Sequence, residues 1–249
     1  MNPHIAEARE LCYSYPDGTA ALDKISFAIA HGESVALAGE NGAGKSTLLR
    51  HFTGCLLPAS GTLTASGLAV KKNTLPAVRR AVGMVFQNPD DQLFMPTVFE
   101  DVAFGLANAG VPALELEAQV MTALETVGAA HLRARPPYRL SQGEKRSVAI
   151  AGVLALKPDI LVMDEPTSNL DPLSRRRLIK LLKTFSHTKV IATHDLDFAL
   201  EVCGRAMIIH KGRIAADGPI RAVFADTSLM EAANLETPPS LLAAARAGL

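Results

Sequence analysis

Short, uninterrupted apolar runs punctuate the chain at Val35 to Ala38, Val82 to Phe86, Ile160 to Met163 and Val190 to Thr193, with helix-period stretches between them. A continuous apolar run is buried on both faces, as are the strands of a parallel sheet between helical layers. The pattern predicts a three-layer α/β core. ALDKISFAIA (21 to 30) and GTLTASGLAV (61 to 70) alternate in part, which predicts an antiparallel β piece beside the first parallel strand. From Pro89 to about Leu156 the period becomes helical, in PTVFEDVAFGLANAG, PALELEAQVMTALETVG and SQGEKRSVAIAGVLAL. A helical subdomain over about 89–156 is therefore expected, inserted into one domain spanning residues 1–225. Beyond it, 226–249 is rich in Ala and Leu, broken by TPPS at 237 to 240, and reads as a short helical tail.

Composition narrows the possible functions. With 249 residues, 48% of them apolar, the chain can bury a large core. Lys plus Arg and Asp plus Glu both number 25, with no long block of one sign, so nucleic acid is not the expected partner. Cys12, Cys55 and Cys203 are far apart and form no CxxC, which argues against a disulfide framework or a zinc site and fits a reducing cytoplasm. The seven histidines are scattered without ligand spacing. MNPHIAEARELCYSY lacks the basic start and apolar core of a signal peptide, and no apolar run is long enough to span a bilayer.

Residues 39 to 46 read GENGAGKS, directly after the strand-like SVALA and before the helical STLLRHF. Gly39, Asn41, Gly42, Ala43 and Gly44 would let backbone amides converge on phosphate oxygens at a helix N-terminus. Lys45 would reach the β and γ phosphates, and the Ser46 hydroxyl would hold Mg²⁺. Thr47 could add a contact to the α phosphate. A second chemical motif is ILVMDE (160 to 165), a buried run ending in two acids. Asp164 at the strand's carboxyl end would hold Mg²⁺, and Glu165 would polarise the attacking water.

LSQGEKRSVAIAG (140 to 152) lies between these motifs. By itself it predicts a helix start, with Ser141 as N-cap and Glu144 completing a capping box. Taken in order, however, the phosphate loop, Gln87, LSQGE, ILVMDE, SNLD (168 to 171) and ATHD with His194 resemble the nucleotide-binding subunit of ABC transporters from residue 6 to about 225. That resemblance implies ATP and Mg²⁺ as cofactors, and a second copy of the chain packed head to tail. It implies an aromatic ring stacked on adenine, either Tyr15, the favoured one, or Tyr13, which alternates with it. Gln87 would contact Mg²⁺ and the attacking water, and His194 the γ phosphate. Ser141, Gln142, Gly143 and Glu144 would face the partner's nucleotide, and Asp171 would communicate across the interface. The signature departs from the commoner LSGGQ at Gln142 and Glu144; Ser141 and Gly143 remain, so an active site is expected.

One phosphate loop without a coiled-coil insert favours an importer subunit over DNA-repair or ribosomal ABC ATPases. VFQNPDDQLF (85 to 94) and LSQGEKRSVAIAGVLAL resemble the ATPases of energy-coupling factor transporters, especially the cobalt and nickel type. The resemblance implies a peripheral subunit on the cytoplasmic face, working with a transmembrane coupling protein and a substrate-binding membrane protein. The same motor for a vitamin such as biotin, a soluble non-transport ABC ATPase, and a phosphate-loop kinase are the competing readings. Residues 90 to 94 are expected to meet the membrane partner, so that changes at Gln92 or Phe94 uncouple transport from hydrolysis.

Overall fold

The computed structural model describes residues 4–246. Its chain order is β1 (His4–Ser14), β2 (Ala20–Ala30), β3 (Ser34–Ala38), α1 (Lys45–Phe52), β4 (Ser60–Ala65), β5 (Leu68–Ala69), α2 (Leu75–Ala81) and β6 (Val82–Val85). Three helices follow, α3 (Val98–Asn108), α4 (Ala113–Thr126) and α5 (Gln142–Ala155). The remainder is β7 (Ile160–Asp164), α6 (Pro172–Thr184), β8 (Thr188–Ala192), α7 (Leu196–Val202), β9 (Arg205–His210), β10 (Arg213–Pro219), α8 (Ile220–Ala225), α9 (Thr227–Ala232) and α10 (Pro239–Arg246).

Six strands in the order β10-β9-β3-β8-β7-β6 form the central sheet, parallel from β9 through β6, with β10 antiparallel at one edge. β7 is buried at every position, which is why ILVM is a continuous apolar run before Asp164; β8 is equally buried, apolar from Val190 to Ala192 after the buried Thr188 and Lys189. A smaller antiparallel sheet, β2-β1-β4-β5, covers α1 from the other side. One apolar core joins that sheet, α1 and one face of the parallel strands, around Leu48, Leu49, Phe52, Phe27 and Leu11. A second lies on the opposite face, where Phe198, Phe224, Leu182 and Ile150 meet Met163 and Ile208. The α3-α4-α5 bundle has its own core, including Val98, Val102, Leu124 and Val148.

Three strands, β1, β9 and β10, were absent from the sequence reading. β9 carries only Ala206–Ile209 between Arg205 and His210, yet these four residues are fully buried. β1 loses its alternation at Glu10, where φ is +47° and the register with β2 and β4 shifts.

The chain past α8 returns to the phosphate loop. Met230 and Ala233 sit in the second core, and Asn234 Nδ2 donates to Glu40 Oε2 at 2.8 Å.

Candidate active site

β3 delivers the chain into the phosphate loop, and Gly44 caps α1 in a left-handed conformation, φ +112°. A Cβ there would stand 2.5 Å from the Ala21 carbonyl oxygen, so only glycine lets the loop lie this close to β2. Lys45 is 7% exposed and folds back so that Nζ donates to the Gly39 and Glu40 carbonyls at 2.7 and 3.0 Å. Burial lowers its pKa, opposed by the nearby carboxylates of Glu165, Asp164 and Glu40. An arriving phosphate can therefore replace two carbonyl acceptors without first drawing the ammonium out of bulk water.

Asp164 ends β7 beside this lysine, buried. Desolvation raises its pKa, while the Ser46 hydroxyl, Arg50, Lys45 and Arg146 pull it down. Its Oδ1 is buried without a hydrogen-bond partner among the described residues. A buried carboxylate oxygen left open next to a serine hydroxyl is a donor pair that fits Mg²⁺.

Glu165 has φ +44°, an uncommon conformation for a non-glycine residue, and its N–H donates to the Ala192 carbonyl at 2.8 Å. That turn places its carboxylate at the end of β8. His194 Nδ1 lies 2.7 Å from Glu165 Oε2, and the His194 N–H donates to the same oxygen at 3.2 Å. Tyr15 reaches the helix side of the site, its hydroxyl 2.9 Å from Thr47 Oγ1. Tyr13 packs against the first core instead.

Lys45, Ser46, Thr47, Asp164, Glu165, His194 and Tyr15 thus cluster around the phosphate loop. Ser141, Gln142, Gly143, Glu144 and Asp171 form a separate group. Ser141 caps α5: Oγ accepts from the Glu144 N–H at 3.3 Å, and the Ser141 N–H donates to Glu144 Oε2 at 2.8 Å. The Ser141 backbone N–H and hydroxyl hold the Glu144 carboxyl below its ordinary pKa. Asp171 caps α6 through Leu173 and Ser174, and the Ser174 hydroxyl donates to Asp171 Oδ2 at 2.6 Å, lowering that carboxyl's pKa. A Cβ on Gly143 would stand 2.4 Å from Ser174 Oγ, so the signature glycine lets α5 and α6 touch. A cleft of about 860 Å³ opens beside that contact, between the helical bundle and α6.

Gln87 is tied to the signature helix through its main chain, by a residue the sequence did not point to. The Arg146 guanidinium, 2% exposed, donates from Nη1 to the Phe86 carbonyl at 2.5 Å and from Nη2 to the Gln87 carbonyl at 2.6 Å. Lys145 Nζ pairs with Asp90 Oδ1 at 2.6 Å. Gln92 Nε2 donates to the Ala149 carbonyl at 2.9 Å and its Oε1 accepts from the Phe86 N–H at 3.4 Å. Gln92, half-buried, thus braces the loop against α5 while it also lines the groove beside Leu93 and Phe94. Phe94 is 62% exposed and stands edge-on to the exposed Phe104.

A family model described as ABC transporter matches residues 22–168. The chain belongs to the ABC transporter ATP-binding family. This ABC ATPase is 58% identical over 241 residues to a Geobacter sulfurreducens protein assigned to the same family, covering 97% of each. It is 45% identical over 240 residues to the energy-coupling factor transporter ATP-binding protein of Methanocaldococcus jannaschii, covering 94% of this chain and 86% of the relative. The solved structure of cbiO1 from Clostridium perfringens, part of the ABC transporter complex cbiONQ, superposes with a TM-score of 0.83 at 38% identity, covering 97% of this chain and 99% of that one. The family binds ATP and couples its hydrolysis to transport. Among the described residues, no helix is long and apolar enough to cross a membrane.

Proposed function

We propose that this chain hydrolyses ATP on the cytoplasmic face of the membrane to power an energy-coupling factor importer for cobalt or nickel ions. The observation that carries the transport class furthest is the full-length likeness to cbiO1, a component of a membrane transporter complex. The cobalt reading rests on that likeness together with the VFQNPDDQLF segment. Among the described residues there is no cluster of His, Cys, Asp and Glu able to hold a metal ion, so the cargo is assigned to membrane partners. A vitamin such as biotin is the alternative cargo for the same motor.

In the proposed mechanism Lys45 and the loop amides neutralise the β and γ phosphates, and Tyr15 stacks on the base. Ser46, Asp164 and Gln87 would hold Mg²⁺, which offsets charge on the phosphates. Glu165 takes a proton from the attacking water as the bond from γ phosphorus to the ADP oxygen breaks, giving ADP and phosphate. His194, whose Nδ1 lies within hydrogen-bonding distance of Glu165 Oε2, steadies that carboxylate and contacts the γ phosphate. The signature group lies outside this cluster, so each site is completed by Ser141 and Gly143 of a second copy. ATP would thereby hold the two copies together and hydrolysis release them.

The helical bundle, 89–156, would turn on its Gln87 link when γ phosphate is bound. The groove lined by Phe94, Phe104, Asp101 and Leu93 would receive a basic amphipathic helix of the transmembrane coupling protein. Uptake of labelled cobalt and nickel by cells lacking this chain and its membrane partners tests the proposal. Restored ATP-dependent uptake on re-expression supports it; unchanged metal uptake alongside lost vitamin uptake would replace the cargo.

A further inference from the structure

Four residues, Tyr13 and Tyr15 at the end of β1 and Thr47 and His51 from α1, close a ring of contacts. The hydroxyls of Tyr15 and Thr47 are 2.9 Å apart. One turn below, His51 Nδ1 is 2.7 Å from the Thr47 carbonyl oxygen. The Tyr13 ring stands edge-on to His51, centroids 4.9 Å apart at 78°, and edge-on to Tyr15, 5.2 Å apart at 86°. The ring joins the residue expected to stack on the base to the residue expected at the α phosphate.

His51 is the buried member of this set, at 0% exposure. Its Nδ1 faces a carbonyl, which only accepts, so Nδ1 carries the proton. Burial lowers the imidazole pKa, and the ring is neutral around pH 7. Nε2 is buried beside the Leu57 backbone, without a well-formed hydrogen bond among the described residues. A buried nitrogen so poorly paired is a cost that a phenylalanine in the same space would avoid. Histidine combines two features phenylalanine lacks together: a donor for Thr47 and an aromatic edge for Tyr13.

We infer that His51 is a positioning residue for nucleotide recognition, setting through Tyr13 the face that Tyr15 presents to the base while tying that platform to the phosphate helix. The inference rests on the ATP reading of the phosphate loop and deepens it. Tyr15 and Thr47 hold each other's hydroxyls before nucleotide arrives. An α phosphate that takes the Thr47 hydroxyl frees Tyr15, whose ring is kept in place from behind by Tyr13 and His51. Base and phosphate are then read on one rigid unit.

Binding of ATP and of inorganic tripolyphosphate to the full chain, measured by titration calorimetry with Mg²⁺, tests this. Tripolyphosphate engages the loop without a base, so a wild-type protein that binds neither ligand overturns the ATP reading separately. In His51→Ala, ATP binding weakens by about five-fold, the scale of one lost aromatic edge contact, while tripolyphosphate binding is unchanged. His51→Phe, which restores an aromatic edge, recovers most of the loss, and His51→Ala adds nothing in a Tyr15→Ala background. His51→Gln keeps a donor without a ring and serves in place of His51→Ala should that variant not fold, with the same pattern expected. Equal weakening toward both ligands would show a purely structural role and overturn the inference, as would unchanged ATP affinity.

Discussion

His194 and Glu165 meet twice: the imidazole Nδ1 stands 2.7 Å from Oε2, and the His194 backbone N–H donates to that same oxygen. The carboxylate is thus fixed from the end of β8 while Glu165 itself sits in a left-handed turn. Glu165→Gln keeps the shape and removes the base, so hydrolysis should fall by about 10² to 10⁴ while ATP binding persists. Steady-state phosphate release with parallel binding titrations checks this, and wild-type turnover in the variant would contradict it.

Arg146 ties the end of β6 to the signature helix through the Phe86 and Gln87 carbonyls. Arg146→Ala strips two carbonyls of a charged donor in a buried place, with an expected stability loss of about 3 kcal/mol by urea unfolding. Arg146→Lys should recover only part of that stability and little of the turnover, because one ammonium cannot reproduce a planar two-pronged grip.

Phe94 and Gln92 should separate experimentally. Phe94→Ala removes an exposed ring and leaves the loop's internal bonds alone, so basal hydrolysis is retained while uptake in cells falls. Gln92→Ala breaks the Phe86 and Ala149 bonds and should lower both. Parallel loss of hydrolysis and uptake in Phe94→Ala would rule out the docking role.

Gly143 is packed against Ser174, so Gly143→Ala should cost about 1–3 kcal/mol through overpacking. Ser174→Gly, placed in the same chain, should relieve much of that cost in a thermal melt. Absence of relief would mean that the strain is absorbed elsewhere.

Asp101 predicts a pH dependence. Burial raises its pKa above 3.8, opposed by the N–H groups of Phe94 and Met95, and Oδ2 has no hydrogen-bond partner among the described residues. Between the unfolded and the raised folded value the native state binds more protons than the unfolded chain, so this group's contribution makes stability fall as pH rises. Asp101→Asn should melt higher than wild type near pH 7, and the difference should shrink as pH drops through the raised value toward 3.8. A constant offset across that range would assign the effect to something other than this carboxyl.

The parallel strands β3, β6, β7 and β8 were legible because burial on both faces leaves an apolar run, and the signature helix because Ser141 and Glu144 cap it locally; the parallel β9 was not. The motif order brought Lys45, Asp164, Glu165 and His194 together on paper as they are in space. Contacts to backbone acceptors left no such trace. Nothing in residues 86 and 87 announces that Arg146 will grip their carbonyls, and nothing in RELCYSY announces that Tyr13 will be wedged against a histidine in α1. Long-range pairs of this kind depend on the packing of helices against the sheet, which periodicity does not encode.

The grip of Arg146 falls on main-chain oxygens, which every residue type supplies. The linkage to the signature helix is therefore indifferent to which side chains occupy positions 86 and 87. A substitution at either position changes a side chain and leaves the main-chain grip of Arg146 in place.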